Sequence, residues 1–218
     1  MLFAAMTASD YIQSRGLPPS IVPEWGLGDP SPRQRYSMLD NRLIIPIMGY
    51  SGQRVATAGR ALDDSQPKYW NTSFAKERWL YGLWKHCDGL PVLVEGFFDV
   101  WALRLLGYRA YAVMSASLSD WQAAHILSMG NKCIVYPHED QTGQQWCAKL
   151  RGYGVRASSP PEPYPRGAPP KSDPHWLYTH DRDWLVRMLY VCEQCLKPRS
   201  ALDTMLGRLM RNGHISRR

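Results

Sequence analysis

From Leu90 onward the chain alternates short apolar runs with helical stretches, and that alternation restricts the fold more than any other feature. Pro91–Val94, Arg109–Met114 and Lys132–Tyr136 read as strands, with Val155–Ser158 as a further one. Between them Phe97–Leu106, Ser119–Met129 and Gly143–Arg151 read as helices. Strands and helices in this order predict right-handed βαβ crossovers and a largely parallel sheet. Ligands of such sheets sit beyond the carboxyl ends of the strands. Those ends here carry Glu95, Ser115 and the run His138-Glu139-Asp140.

The residues before Leu90 have a different rhythm. The segment from Thr7 to Leu27 opens with a helical pattern for which Ser9 or Asp10 is the expected cap and Gly16 the expected stop. After a polar, proline-bearing loop, Arg42–Met48 reads as a strand, Tyr50-Ser51-Gly52-Gln53 as a turn and Arg54–Ala58 as the returning strand. Beyond the parallel-sheet region, the prolines from Pro160 to Pro170 predict an extended linker. Asp183–Lys197 and Ser200–Arg211 then read as amphipathic helices separated by Pro198. The fold class is therefore α/β: an α+β N-terminal subdomain over residues 1–88, a mostly parallel sheet with flanking helices over 89–180, and a small C-terminal helical segment over 181–218.

A chain of 218 residues can bury a real core, and no apolar stretch reaches the length a membrane span needs. The N-terminal apolar run lacks a basic region ahead of it, so no signal peptide is read and a cytoplasmic location without a membrane partner is expected. Net charge +7 favours a polyanionic partner, because Lys and Arg that neutralise phosphates release condensed counterions. The five cysteines have no framework spacing and read as reduced thiols, with Cys192 and Cys195 as core or partly buried helix residues rather than half of a zinc site.

Two runs carry the chemistry. In Val94-Glu95-Gly96-Phe97-Phe98-Asp99-Val100 a carboxylate stands at a strand tip, and Asp99 follows roughly one helical turn later, within reach of the same mouth. In Ile134-Val135-Tyr136-Pro137-His138-Glu139-Asp140-Gln141-Thr142-Gly143 another apolar strand ends in a metal-capable cluster. Oxygen ligands from adjacent strand tips suit hard divalent cations of the kind phosphoryl-transfer sites use. The competing reading is that these carboxylates cap helices or stand in solvent.

The same two runs, in this order, resemble the TOPRIM domain of bacterial DnaG-type primases, in which a Glu-Gly-x-x-Asp motif precedes an Asp-x-Asp motif and a Gly. The resemblance extends upstream. Ala8-Ser9-Asp10-Tyr11, Arg15-Gly16-Leu17 and Trp25-Gly26-Leu27-Gly28 resemble the opening of the family's polymerase core. Asn41 to Ile47 is similar to its N-R-L-x-F-P-I strand, and Gly59-Arg60 to the end of its G-x-x-G-G-R hairpin, with Ala58 replacing one Gly. Pro67-Lys68-Tyr69-Trp70-Asn71 and Leu80-Tyr81-Gly82-Leu83 resemble its P-K-Y-x-N and L-Y-G-L elements. No zinc ribbon precedes these elements, and the helicase-binding domain is not recognisable as a unit.

The resemblance implies an enzyme that makes short RNA primers on single-stranded DNA from ribonucleoside triphosphates by metal-dependent nucleotidyl transfer. It casts Glu95, Asp99 and Asp140 as the catalytic acids that hold metal and triphosphate. Arg42, Arg54, Arg60, Lys68, Asn71, Lys76 and Arg78 form the nucleic-acid and nucleotide groove, with Trp70 and Trp79 suited to stacking bases beside them. The implied cofactor is Mg²⁺ or Mn²⁺, and a replicative helicase is the implied protein partner. The size of the chain fits a phage or mobile-element protein.

The departures from the pattern are specific. His138 stands at the first Asp of the Asp-x-Asp motif, with Glu139 between it and Asp140. Ser172-Asp173-Pro174-His175 resembles the family's D-P-D segment with His175 at its second Asp. The extended metal set is then Glu95, Asp140, His138, Glu139, Asp173 and His175. Imidazoles in that set predict either a site retuned toward a transition metal or one weakened by lost negative charge. The loop from Asn71 to Leu80 is shorter than the family's, and Ser115 replaces a Gly after the second strand of the parallel sheet. The alternatives to an active primase are a catalytically impaired nucleic-acid-binding or replisome module, and a TOPRIM nuclease, against which the upstream matches argue.

Overall fold

The computed structural model describes residues 6–136, 140–160 and 172–197. The chain opens with helix α1 (Ala8–Ser14), whose cap is Thr7 rather than Ser9 or Asp10. Thr7 Oγ1 accepts from the Asp10 backbone N–H at 3.1 Å, and the Asp10 carboxylate accepts from the Thr7 N–H at 3.0 Å. Asp10 is thus the third helical residue of a capping box, which needs its capping hydroxyl one turn earlier. The helix stops at Gly16, whose φ of +74° suits glycine and whose missing Cβ would otherwise lie 2.6 Å from Thr179 Cγ2. Helix α2 (Ile21–Trp25) follows and buries Ile21 and Trp25.

Strands β1 (Arg42–Met48), β2 (Arg54–Ala61) and β3 (Tyr69–Asn71) form an antiparallel sheet in that order. The expected hairpin is present, with Arg42 opposite Ala61 and Ile44 opposite Gly59. Strand β2 runs on to Ala61 because β3, which the sequence did not announce, pairs with its far end at Ala58–Asn71 and Arg60–Tyr69.

The second sheet contains β4 (Pro91–Val94), β5 (Arg109–Ala112), β6 (Lys132–Val135) and β7 (Arg156–Ser158), all parallel, in the order β5-β4-β6-β7. Helices α3 (Phe97–Leu105), α4 (Asp120–Met129) and α5 (Asp140–Gly152) make the crossovers. Each central strand splits its side chains by the two-residue period of a pleat. Val92, Val94, Ala110, Ala112 and Ile134 enter a core shared with α1, α2, α3 and the antiparallel sheet. Leu93, Tyr111, Cys133 and Val135 enter an opposite core with Ile126 of α4 and Trp146 and Leu150 of α5. Strand β5 ends at Ala112 instead of Met114, where the backbone turns into a left-handed φ of +62°. Tyr81, in the segment after β3, joins the edge of the parallel sheet by exchanging both backbone hydrogen bonds with Ala112 at 2.9 and 3.1 Å.

Helix α6 (Pro174–His180), absent from the sequence expectation, packs on α3, and α7 (Arg182–Leu196) packs on β6 and β7. The expected helix Ser200–Arg211 and the linker beyond Pro160 lie outside the described residues. All five cysteines are free thiols: Cys133, Cys147 and Cys192 are buried, Cys87 is half-buried and Cys195 is exposed. Among the described residues no helix is long and apolar enough to cross a membrane.

Candidate active site

Strand β4 is flanked by β5 and β6, so its carboxyl end is the place where three strand exits meet. Leu93 lies opposite Val135, and the Tyr136 N–H donates to the Leu93 carbonyl at 2.8 Å. On the other side the Val113 and Met114 N–H groups donate to the Val94 and Glu95 carbonyls at 2.9 and 3.0 Å. Glu95, half-buried, is therefore fixed at the centre of the mouth. Asp140 opens α5 one short connection after Tyr136; of Asp140 only the backbone is described, and His138 and Glu139 lie outside the described residues. Among the described residues no group of three or more His, Cys, Asp or Glu is gathered closely enough to hold a metal ion.

Asp99 is 2% exposed and bonded to two backbone groups. Its Oδ2 accepts from the Gly96 N–H at 3.1 Å, the capping contact that starts α3, and its Oδ1 accepts from the His175 N–H at 3.2 Å. Gly96 suits this close approach: a Cβ there would stand 3.2 Å from Asp99 Oδ2, so a side chain would press on the capping carboxylate. The carboxylate thus joins the first turn of α3 to the first turn of α6 across 76 residues of sequence.

Asp173 caps α6, with Oδ1 accepting from the Trp176 N–H at 2.6 Å, and Pro174 takes the first helical position. His175 is buried against the Phe98 ring at 5.2 Å, and its Nε2 lies 2.8 Å from the Arg15 carbonyl. An acceptor there assigns the proton to Nε2. Burial lowers the His175 pKa, against the pull of the Arg15 carbonyl and the charges of Asp99 and Asp173. The imidazole points at the end of α1.

The basic residues divide into groups. Arg60, buried on β2, donates Nε–H to the Tyr11 hydroxyl at 3.1 Å and lies over the Tyr69 ring at 4.8 Å. Lys68 is exposed beside it, and its pKa is lowered by repulsion from Arg60, then by partial burial and by Arg15, against the attraction of Asp173 and Asp64. Arg15, over the Phe98 ring at 5.5 Å, joins Arg60 in repelling the Lys68 ammonium, which Asp173 attracts. In the sequence Arg15 stands only within the Arg15-Gly16-Leu17 match, and nothing local distinguishes its role. Arg15, Asp173 and His175 also line a cavity of about 410 Å³ with Trp176 and His180.

Arg42 is buried with Nη1 donating to the Pro67 carbonyl at 2.7 Å, which fixes the segment leading into Lys68. Asn71 lies on β3 with a buried Oδ1 that has no hydrogen-bond partner among the described residues. Arg54 lines a separate cavity of about 270 Å³ with Arg35, Tyr36 and Thr72, while Lys76 and Arg78 sit on a 3-10 turn against α4. Trp70 contacts Tyr36 at 6.2 Å and Trp79 contacts Tyr50 at 4.7 Å.

This arrangement, an antiparallel sheet bearing cations that borders the acid-tipped end of a parallel sheet, places the chain by fold among primase catalytic cores. It superposes on the zinc-binding and RNA polymerase domains of the Aquifex aeolicus primase with a TM-score of 0.69 at 21% identity, covering 84% of this chain and 55% of that one. The DnaG primase catalytic domain bound to single-stranded DNA gives a TM-score of 0.67 at 21% identity, covering 87% and 73%. Residues 6–86 match the family described as the N-terminal domain of the DNA primase catalytic core. The DNA primase of Clostridium acetobutylicum is 30% identical over 154 residues, 66% of this chain and 26% of that protein. That of Deinococcus radiodurans is 35% identical over 144 residues, 58% of this chain and 25% of that protein. The chain carries a DnaG-type primase core. It spans about a quarter of the length of these curated relatives.

Proposed function

We propose that the chain synthesises short RNA primers on single-stranded DNA, with a TOPRIM-type site at the carboxyl end of its parallel sheet. The observation that carries this reading is the adjacency of β4 and β6. Their backbones join at Leu93 and Tyr136, so the chain presents Glu95 and the exit of β6, from which α5 follows at Asp140, at one end of the sheet. A donor set of carboxylate oxygens fits Mg²⁺ or Mn²⁺, with Glu95 and Asp140 as holders and Glu139 or His138 as further donors. When bound, such an ion supplies charge stabilisation for in-line displacement at a triphosphate.

The chain's own residues do the rest. Arg60, Lys68 and Arg15, close enough for Lys68 to feel the charge of the other two, attract the polyanionic nucleotide and template. Asp99 holds the first turns of α3 and α6 in register and so steadies the backbone that carries Glu95. The proposed division follows the connection near residue 88 that leads from the cationic sheet into the parallel one.

A second reading, a nucleic-acid-binding module with weakened catalysis, is favoured by one observation. The His175 imidazole donates to the Arg15 carbonyl instead of pointing at the strand tips, so the residue at the family's second D-P-D acid serves as a brace. Primer synthesis on single-stranded DNA with four ribonucleotides, in Mg²⁺ and in Mn²⁺, separates the readings. The enzyme reading predicts labelled oligoribonucleotides that vanish in Glu95→Ala. Tight DNA binding with no product under either metal supports the module, and DNA cleavage supports a nuclease.

A further inference from the structure

Beside the β5 edge of the parallel sheet lies a strip of rings in which the sequence singles out only Trp79, beside Lys76 and Arg78, for contact with bases. Trp121, in the first turn of α4, is 59% exposed, with the Arg78 guanidinium 5.7 Å from its ring centroid. His125 follows one helical turn later and so shares its face of α4. Tyr50, from the turn between β1 and β2, packs its ring 4.1 Å from that of His125 and 4.7 Å from that of Trp79.

The strip is held rigidly. The Tyr50 hydroxyl donates to the Arg78 carbonyl, Ser119 Oγ donates to the Glu77 carbonyl, and Gln122 Nε2 donates to the Trp79 carbonyl at 2.8 Å. Three separate segments are thus pinned together to display one aromatic face, with Lys76 and Arg78 along its margin. A large exposed indole beside cations, on a rigid support, has the chemistry of a surface that stacks bases while its charges follow the phosphates.

Its place in the fold points to a direction. Helix α4 begins one loop after the carboxyl end of β5, and that loop starts at Met114, whose N–H is bonded to the Glu95 carbonyl. The strip and the acidic mouth therefore lie at the same end of the sheet, separated by the exit of β5. We propose that Trp121, flanked by Arg78, is a stacking platform for single-stranded DNA on its way to or from the strand-tip site. The path toward that site rests on the primase reading; the binding itself does not.

The test is fluorescence anisotropy with a labelled deoxyoligonucleotide, for the full chain and for Trp121→Ala and Arg78→Gln. Both side chains are exposed, and far-UV circular dichroism checks that each variant folds. Loss of one stacked base predicts roughly tenfold weaker binding for Trp121→Ala, with an unchanged salt slope. Arg78→Gln should lower that slope by about 0.7. A single strand carrying 5-iododeoxyuridine should photo-cross-link at Trp121. Wild-type affinity in Trp121→Ala, or cross-links confined to the Arg60 and Lys68 side, overturns the proposal. Weakened binding in a protein that makes no primers would preserve the platform and remove the polymerase reading, so the two fail separately.

Discussion

His175 shows how one residue can match a motif position and have a different task. Its Nε2 is bonded to the Arg15 carbonyl, and its own N–H goes to Asp99. Such long-range partners are invisible in the sequence, where a histidine after Asp-Pro reads naturally as a metal ligand. The same holds for Arg42, whose guanidinium is turned inward to Pro67, and for Arg15, whose place beside Lys68 depends on α1 docking against α6. What was legible was the position of Glu95, because a residue directly after a buried apolar strand stands at the strand's carboxyl end. Asp99 gives the residue-scale prediction. An amide in its place loses the charge that attracts two backbone N–H groups, so Asp99→Asn should cost about 1–3 kcal/mol in urea unfolding, given the usual value of charge-assisted hydrogen bonds and of unsatisfied buried groups. A cost under about 0.5 kcal/mol, the range of ordinary surface changes, would contradict the bracing role.

At the scale of elements, β4, β5 and β6 were readable because each carries an uninterrupted run of buried residues. Strand β3 was not, since three half-buried residues give no periodicity and exist as a strand through β2. Helix α6 escaped for a related reason: seven residues beginning Pro-His-Trp carry little helical signal, and the Asp173 cap supplies the start. The first helix was expected, but its cap was placed inside it, because Asp10 is a capping residue type serving at the third helical position. Thr7→Ala should therefore destabilise the fold by about 1 kcal/mol, the usual value of a capping hydroxyl, whereas Ser9→Ala should leave the unfolding midpoint nearly unchanged. Helix α4 offers a pH test. Partial burial lowers the His125 pKa below its ordinary 6.5, so the unfolded chain takes up the proton first as the pH falls. Its contribution is constant above the ordinary value and turns unfavourable below it. Thermal melts of wild type and His125→Gln should keep a fixed difference at neutral pH, with the wild type losing ground on acidification; parallel curves down to pH 5 would contradict this.

For the molecule as a whole, the fold joins a cationic antiparallel sheet to an acid-tipped parallel one, and the interplay of those charges is the core of the proposed chemistry. Tyr81 bonding to Ala112 and His175 bonding to the Arg15 carbonyl tie the two halves together. The central claim is that the exits of β4 and β6 jointly hold a divalent cation. Electron paramagnetic resonance of Mn²⁺ titrated into the full chain, into Glu95→Ala and into Asp140→Ala measures this without reference to catalysis. The account predicts a saturable bound-Mn²⁺ signal in the wild type that disappears in both variants, because each removes one side of a shared site. Mn²⁺ binding that persists unchanged in either variant would contradict it.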